Sequence, residues 1–148
     1  MSEIVVKIKR LHDGVELPFY ATSGSAGMDL RASLEESVVL KPGEIKFIPT
    51  GIAISLPSAD FGAFIFARSG LACKFGIALA NSVGVIDSDY RGEIKCALIN
   101  LGQADFEINN GDRVAQMVFM PVTQVALQET DNLDETERGV GGFGSTGL

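Results

Sequence analysis

The sequence predicts an all-β protein, folded as a sandwich, a jelly roll or a barrel. Short stretches in which apolar and polar residues alternate recur along the chain, each bounded by Gly, Pro or Asn, as is typical of half-buried strands. Helical periodicity is hard to find, and 17 glycines and five prolines interrupt the 148 residues. Many short strands separated by turn residues favour an all-β architecture.

The alternating stretches predict strands, in chain order, over residues 4–11, 38–40, 44–48, 51–56 and 61–66. Two further strands are predicted over 93–101 and 114–122, the second after an Asn-Asn-Gly-Asp turn at 109–112. Residues 26–32 and 111–117 also look strand-like, each interrupted by a polar residue. One short helix is expected around 70–75.

The composition changes near the C-terminus. Residues 129–137 are acidic and polar, and residues 138–148 (RGVGGFGSTGL) are almost half glycine. Neither stretch buries enough apolar surface to offset the conformational entropy lost on ordering. We therefore expect a single domain over 1–148, in which 129–148 form an acidic linker and a mobile C-terminal arm.

Composition and charge exclude several classes of function. A net charge of -7 argues against a nucleic acid as the main partner, because such binding needs a broad basic surface. The single histidine, His12, excludes HExxH zinc sites and most Ser-His catalytic arrangements. No apolar run approaches the roughly 18 residues that span a bilayer, so no membrane segment or signal peptide is expected. Cys73 and Cys96 match no metal spacing, which favours reduced thiols in a cytoplasmic protein.

The segment 84–94 (GVIDSDYRGEI) is the sharpest candidate for chemistry. Glycines on both sides of its two carboxylates suggest a β-hairpin whose backbone approaches another group closely. The segment is either a tight acidic turn or a site in which Asp87 orients a water as general base. In the second interpretation, Tyr90 provides a flat wall for a ring.

Two other segments could bind phosphate. Arg68, Ser69 and Gly70 follow the predicted strand 61–66, where a charged fork and free N–H groups suit a phosphate, although a surface turn is equally compatible. No Walker motif is present in the sequence. The arm is either a flexible tail or a lid that closes over a charged ligand, because it combines an arginine, a ring and two hydroxyls: Arg138, Phe143, Ser145 and Thr146.

Five segments, in this order, resemble the trimeric dUTPase family: AGMDLRA, ARSGLACKFGI, NSVGVIDSDYRGEIK, GDRVAQMVFMPV and RGVGGFGSTGL. The resemblance runs from residue 26 to the C-terminus. It implies a jelly-roll-like β barrel that forms a homotrimer with shared active sites. It also implies Mg²⁺-dependent hydrolysis of dUTP to dUMP and pyrophosphate, which limits uracil in DNA and supplies dUMP for dTMP synthesis.

The resemblance also implies a role for each site residue. Asp87 would orient the attacking water, and Tyr90 would lie under the deoxyribose. The uracil would be read by Asn81, Gly84, Val85, Ile86 and Lys95. The phosphates would be bound by Arg68, Ser69, Gly70 and Gln116. In the arm, Arg138, Ser145 and Thr146 would clamp the β- and γ-phosphates, Phe143 would stack on the base, and Gly144 would also contact the substrate. Mg²⁺ would be held mainly by the triphosphate, with Asp29 acting through coordinated water.

Simpler roles remain open for some of these residues. Asp29 and Asp112 could be structural partners of a nearby arginine, and Gln116 could be a hydrogen-bonding residue of the core. Two rival functions also remain. A dCTP deaminase shares the fold but lacks the closing glycine-rich arm, and a nucleotide-sensing module would need no general base such as Asp87.

Overall fold

The computed structural model describes residues 3–145 and 147. Within those residues the chain forms eleven strands and one short helix. In chain order they are β1 Lys7–Arg10, β2 Met28–Arg31, β3 Val38–Leu40, β4 Ile45–Pro49, β5 Ile52–Ser55, β6 Phe61–Phe66, α1 Ser69–Phe75, β7 Ile77–Leu79, β8 Gly84–Ile86, β9 Lys95–Asn100, β10 Phe106–Ile108 and β11 Arg113–Pro121.

The strands form four antiparallel sheets around one core. The largest sheet has the order β2-β11-β6-β8, and a second sheet has the order β4-β9-β7. The pairs β1-β5 and β10-β3 complete the set. Buried side chains from all four sheets belong to a single apolar cluster, among them Leu30, Ile54, Ile65, Leu98 and Ile108. This arrangement confirms the predicted all-β, jelly-roll-like fold.

Most of the predicted strands are present with shifted ends. The strands over 38–40 and 61–66 have the predicted bounds, whereas β1 occupies only Lys7–Arg10 of the predicted 4–11. The helix α1 begins one residue earlier than expected, at Ser69. Helix α1 ends where Gly76 adopts a left-handed φ of 72°, a conformation that glycine tolerates without strain.

The predicted β-hairpin around Asp87 is wrong. Strand β8 pairs with β6, through Ile86 opposite Ala63 and Gly84 opposite Ile65. Strand β9 instead pairs with β4 and β7 in the other sheet. The residues between β8 and β9 are therefore a loop that crosses from one sheet to another, rather than a hairpin turn.

The turn at 109–112 is confirmed. The Asp112 N–H donates to the Asn109 carbonyl at 3.1 Å, and the Asp112 carboxylate accepts the Asn109 N–H at 2.8 Å. Gly111 supplies the left-handed φ of 86° that this turn requires. Asp112 thus has a structural role within its own turn rather than as the partner of an arginine.

After β11, the described residues from 122 onward form neither helix nor strand, and nearly all of them are exposed. Their hydrogen bonds are mostly local, such as the one from Arg138 Nε to the Gly141 carbonyl at 2.8 Å. Over residues 3–145 and 147, no helix has the length and apolar character needed to cross a bilayer.

Candidate active site

A cleft of about 400 Å³ lies where the loop after β8 meets the beginning of β9. Asp87 follows β8 directly, and Lys95 is the first residue of β9, so two oppositely charged side chains face one space. The cleft is lined by Phe47, Val85, Ile86, Asp87, Tyr90, Glu93 and Lys95. Five of the predicted residues therefore lie together: Val85, Ile86, Asp87, Tyr90 and Lys95.

A smaller cleft of about 180 Å³ adjoins the first and shares Val85, Ile86 and Lys95 with it. Asn81 and Gly84 also line it, so it contains all the residues predicted to read the base. A Cβ on Gly84 would lie 3.0 Å from the Ile65 Cβ, so a larger residue would require β8 and β6 to move apart slightly. The smaller cleft can hold a flat, polar-edged ring against main-chain groups.

Cys96 lines the smaller cleft but has no place in the chemistry. Burial raises the pKa of its thiol to about 12, so the side chain stays protonated at neutral pH. A protonated thiol is neither a good nucleophile nor a metal ligand. Cys96 therefore packs as a small apolar side chain.

The loop from Asp87 to Glu93 holds the Tyr90 ring at the mouth of the larger cleft. The Tyr90 hydroxyl donates to the Glu93 carbonyl at 2.9 Å, and the Tyr90 N–H donates to the Asp87 carbonyl at 3.1 Å. A Cβ on Gly92 would overlap the Tyr90 hydroxyl, so a larger residue at this position would displace the ring. The Glu93 carboxylate accepts the Gly51 N–H at 2.9 Å and ties the loop to the turn between β4 and β5.

A second group of predicted residues surrounds Asp29 on β2. The Asp29 carboxylate contacts Arg68 Nε at 2.8 Å and Arg113 Nη1 at 3.4 Å. Gln116, opposite Asp29 on β11, donates to the Ala67 carbonyl at 3.0 Å. Both polar residues thus have structural partners of the kind that the sequence left open. Ser69 and Gly70 form the exposed first turn of α1 beside this group.

The two groups lie at opposite ends of β6. Because β8 is antiparallel to β6 and Ile86 is opposite Ala63, Asp87 lies near the beginning of β6, whereas Arg68 follows its end. By the same register Asp87 is level with Gly62, and at a rise of about 3.3 Å per residue the six residues from Gly62 to Arg68 separate these positions by roughly 20 Å. A single chain therefore does not bring Arg68 and Asp87 to one point.

The arm lies apart from both groups. Phe143 is fully exposed with a φ of 49°, and Arg138, Gly144 and Ser145 are exposed as well. Among the described residues, no arm side chain lines either cleft. The predicted contact residue Thr146 lies outside the described residues.

Sequence reasoning missed two residues of the larger cleft, Phe47 and Glu93. Phe47 is an apolar residue of β4, and its pattern predicts a core position, yet its side chain is 71% exposed. Glu93 belongs to the segment 84–94 but had no predicted role. The signal that could have identified Glu93 is its place next to Gly92, at the beginning of the predicted strand 93–101.

Comparison with known proteins identifies the family. The dUTPase family model matches residues 13–147. This chain belongs to the dUTPase family. A deoxyuridine 5'-triphosphate nucleotidohydrolase of Desulfitobacterium hafniense is 59% identical and covers 100% of this chain and 99% of that protein. The enzyme of the same name from Rickettsia prowazekii is 58% identical over 100% of both chains.

The fold of this dUTPase family member also matches solved structures. The dUTPase of Staphylococcus bacteriophage 80alpha with dUPNHPP has a TM-score of 0.88 and 25% identity, covering 97% of this chain and 99% of that one. A point mutant of the dUTPase from phage phi11 of S. aureus, described with a structural Mg(II) ion, has a TM-score of 0.78 at 23% identity, covering 86% of this chain and 97% of that one. The dUTPase fold is thus common to proteins of widely different sequence.

Proposed function

We propose that this chain hydrolyses dUTP to dUMP and pyrophosphate, with Asp87 orienting the water that attacks the α-phosphorus. The cleft shared by Asp87, Tyr90 and Lys95 carries this proposal, because a carboxylate, an aromatic wall and a cation converge there. The reaction limits uracil in DNA and supplies dUMP for dTMP synthesis. Reduced Cys73 and Cys96 are consistent with action in the cytoplasm.

The smaller cleft is the proposed uracil site. Asn81 and Lys95 offer side-chain groups, and Gly84, Val85 and Ile86 offer the main chain of β8 to the base edge. A base with the opposite pattern of donors and acceptors would leave these groups unpaired, at a cost that excludes it. The ring of Tyr90 lies next to this pocket, where it would leave no room for a 2′-hydroxyl.

Hydrolysis of a triphosphate depends mainly on positioning and charge neutralisation rather than on covalent chemistry. One ionised carboxylate that accepts a proton from water is sufficient as the base. Asp87 is suited to that role because its loop is held in place. The Asp87 carbonyl accepts the Tyr90 N–H within the loop, and the Glu93 carboxylate binds the loop to Gly51. Neither a histidine nor a cysteine is needed.

The group around Arg68 is the proposed phosphate site, with Ser69, Gly70 and Gln116 beside it. The residues present also fit Mg²⁺ bound through water. A carboxylate has about four lone-pair positions, and the two arginine contacts of Asp29 leave acceptors for the hydrogens of metal-bound waters. Within the described residues, no group of three or more acidic, His or Cys side chains forms a protein cage for a metal. Mg²⁺, when held by the triphosphate, would neutralise phosphate charge.

We propose a homotrimer in which each site combines residues of several chains. Arg68 and Asp87 lie at opposite ends of β6, so a site that uses both needs a second copy. Large exposed apolar side chains fit such an assembly, among them Phe47 at 71% and Leu101 at 65% exposure. The number of chains, three, follows from the family resemblance. Arm residues Arg138, Phe143, Gly144, Ser145 and Thr146 would close over the site of a neighbouring chain.

Substrate specificity provides the test. With Mg²⁺, the purified protein should release pyrophosphate from dUTP, while dCTP, dTTP and UTP remain nearly untouched. Pyrophosphate release from each nucleotide under identical conditions is the measurement. Equal turnover of UTP and dUTP would remove the proposed role of Tyr90, and no release from dUTP would end the proposal itself.

A further inference from the structure

Arg91 lies in the loop between β8 and β9, and the proposed mechanism assigns it no role. Its Nη1 nitrogen donates to the Ser88 carbonyl at 2.7 Å and to the Tyr90 carbonyl at 3.0 Å. A single guanidinium nitrogen thus joins two main-chain carbonyls of the loop that carries Asp87 and Tyr90. Hydrogen bonds from a charged donor are stronger than those between neutral groups.

The rest of the loop shows why this contact matters. At its C-terminal end, the Glu93 carboxylate accepts the Gly51 N–H at 2.9 Å, and the Ile94 N–H donates to the Ile52 carbonyl at 2.9 Å. At its N-terminal end, β8 is paired with β6. Between these anchors, the carbonyls of Ser88 and Tyr90 are held by the Arg91 side chain. Arg91 therefore adds a side-chain restraint to the part of the loop that is otherwise held by the bonds of Tyr90 to the carbonyls of Asp87 and Glu93.

We propose that Arg91 is a positioning residue that fixes the Tyr90 ring relative to the Asp87 carboxylate. The inference rests on the proposed function, from which the roles of Asp87 and Tyr90 come. Without Arg91, water can bond the two carbonyls, so the chain stays folded but the loop samples more conformations. Displacement of a reacting group by about 1 Å can lower the rate by about a hundredfold. A displaced Tyr90 ring also admits a ribose more easily.

The tyrosine content allows a measurement that does not depend on activity. The chain contains no tryptophan and two tyrosines, Tyr20 and Tyr90. In a Tyr20→Phe parent, tyrosine fluorescence comes from Tyr90 alone. Acrylamide quenching of this signal, without nucleotide, reports how well the loop covers and holds the ring.

Three variants are compared in that parent. Arg91→Met keeps the length of the apolar stem but has no donor, whereas Arg91→Lys keeps a single charged nitrogen on a shorter side chain. Arg10→Met is the control, because Arg10 also donates to a main-chain carbonyl, that of Val15 at 2.9 Å, but lies on β1. Arg91→Met should lower kcat for dUTP by about tenfold, raise the relative turnover of UTP, and increase quenching of Tyr90. Arg91→Lys should be intermediate, and Arg10→Met should match the parent.

Two results would overturn the proposal. One is unchanged Tyr90 quenching in Arg91→Met. The other is a loss confined to KM and fully restored in Arg91→Lys, which would indicate a direct charge contact with the substrate. If Arg91→Met does not fold, the dUTP kinetics and the Tyr90 quenching are measured in Arg91→Lys instead. A parent that releases no pyrophosphate from dUTP would refute the proposed function, while the quenching measurement would still decide whether Arg91 restrains the loop.

Discussion

At the scale of single residues, the proposed chemistry depends on one carboxylate. Asp87→Asn removes the base while keeping the size of the side chain, so nucleotide binding should persist. Loss of a general base lowers rates by about a hundredfold to ten-thousandfold. We therefore expect kcat for dUTP to fall within that range with little change in KM, as measured by pyrophosphate release.

Asp89→Asn is the matched control for this experiment. Asp89 lies two residues further along the same loop and does not line the cleft that Asp87 shares with Tyr90 and Lys95, although it lines a separate cleft beside Asp87. Its substitution changes the net charge by the same amount. Full activity in Asp87→Asn, or an equal loss in both variants, would contradict the assignment of Asp87 as the base.

Site residues could be predicted from the sequence where they belong to a motif. They were harder to predict where their role depends on whether the side chain is buried or exposed. Asp87, Tyr90 and Lys95 were expected together and line one cleft. Phe47 was missed, because an apolar residue on an alternating strand looks like a core residue until the sheet shows which face is covered. The partners of Asp29 were only partly predictable, since Arg68 and Arg113 approach it from other parts of the chain.

At the scale of elements, Asn100 connects the end of β9 to its surroundings. This buried side chain donates to the carbonyls of Leu40 and Ala104, each at 2.8 Å, and accepts the Gly102 N–H at 2.9 Å. Asn100→Ala leaves the buried Leu40 carbonyl and two partly buried groups, the Ala104 carbonyl and the Gly102 N–H, without these partners, and an unsatisfied buried group costs about 1–3 kcal/mol. We expect the free energy of unfolding to fall by about 3 kcal/mol, measured by urea denaturation.

Asn132→Ala is the control for this prediction, because Asn132 is exposed and only its main-chain atoms form hydrogen bonds with Thr130. It should unfold at the same urea concentration as the parent. If Asn100→Ala were equally stable, Asn100 would not hold β9 in place, and the loop after it would have to be stabilised by other contacts.

The strands themselves were predictable where alternation extends over five or more residues, as in β6 and β9. The three-residue strands β7 and β10 were missed, because three residues seldom establish a period, although β3 of the same length was predicted with its observed bounds. The hairpin at β8 was predicted wrongly for another reason. Glycines mark a close approach of the backbone, but they do not identify the neighbour, which is β6 rather than β9.

At the scale of the whole molecule, shared active sites were expected only from the family resemblance, and the residues alone did not predict which parts of the site a single chain keeps apart. Arg68 and Asp87 are only 19 residues apart in sequence, yet the antiparallel pairing of β8 with β6 places them at opposite ends of a strand. The order of the motifs gives only their positions along the chain, whereas the distance between two residues in space depends on how the strands pair. The sequence therefore predicted the residues of the proposed site, and the topology shows that Arg68 and Asp87 of one chain lie apart.

The arm provides the last prediction at this scale. Ordering it costs about 1–2 kcal/mol per residue. Charge-assisted hydrogen bonds return about 1.5–3 kcal/mol each, and a stacked ring about 1–3 kcal/mol. Because these terms nearly cancel, the arm should order only over a bound triphosphate. Deleting residues 138–148 should therefore abolish most dUTP turnover while leaving the oligomer intact.

Pyrophosphate release and light scattering after size-exclusion chromatography measure the two effects of the deletion separately. Val140→Ala is the control, because Val140 is a fully exposed arm residue with no proposed contact to the nucleotide, and it should retain parental activity. An unchanged rate in the deletion would reduce the arm to a tail. Loss of the oligomer would instead give the arm a role in assembly. The deletion leaves Asp87, Tyr90 and Arg68 in place. Loss of turnover with the oligomer intact is therefore expected only if the arm acts on the bound nucleotide.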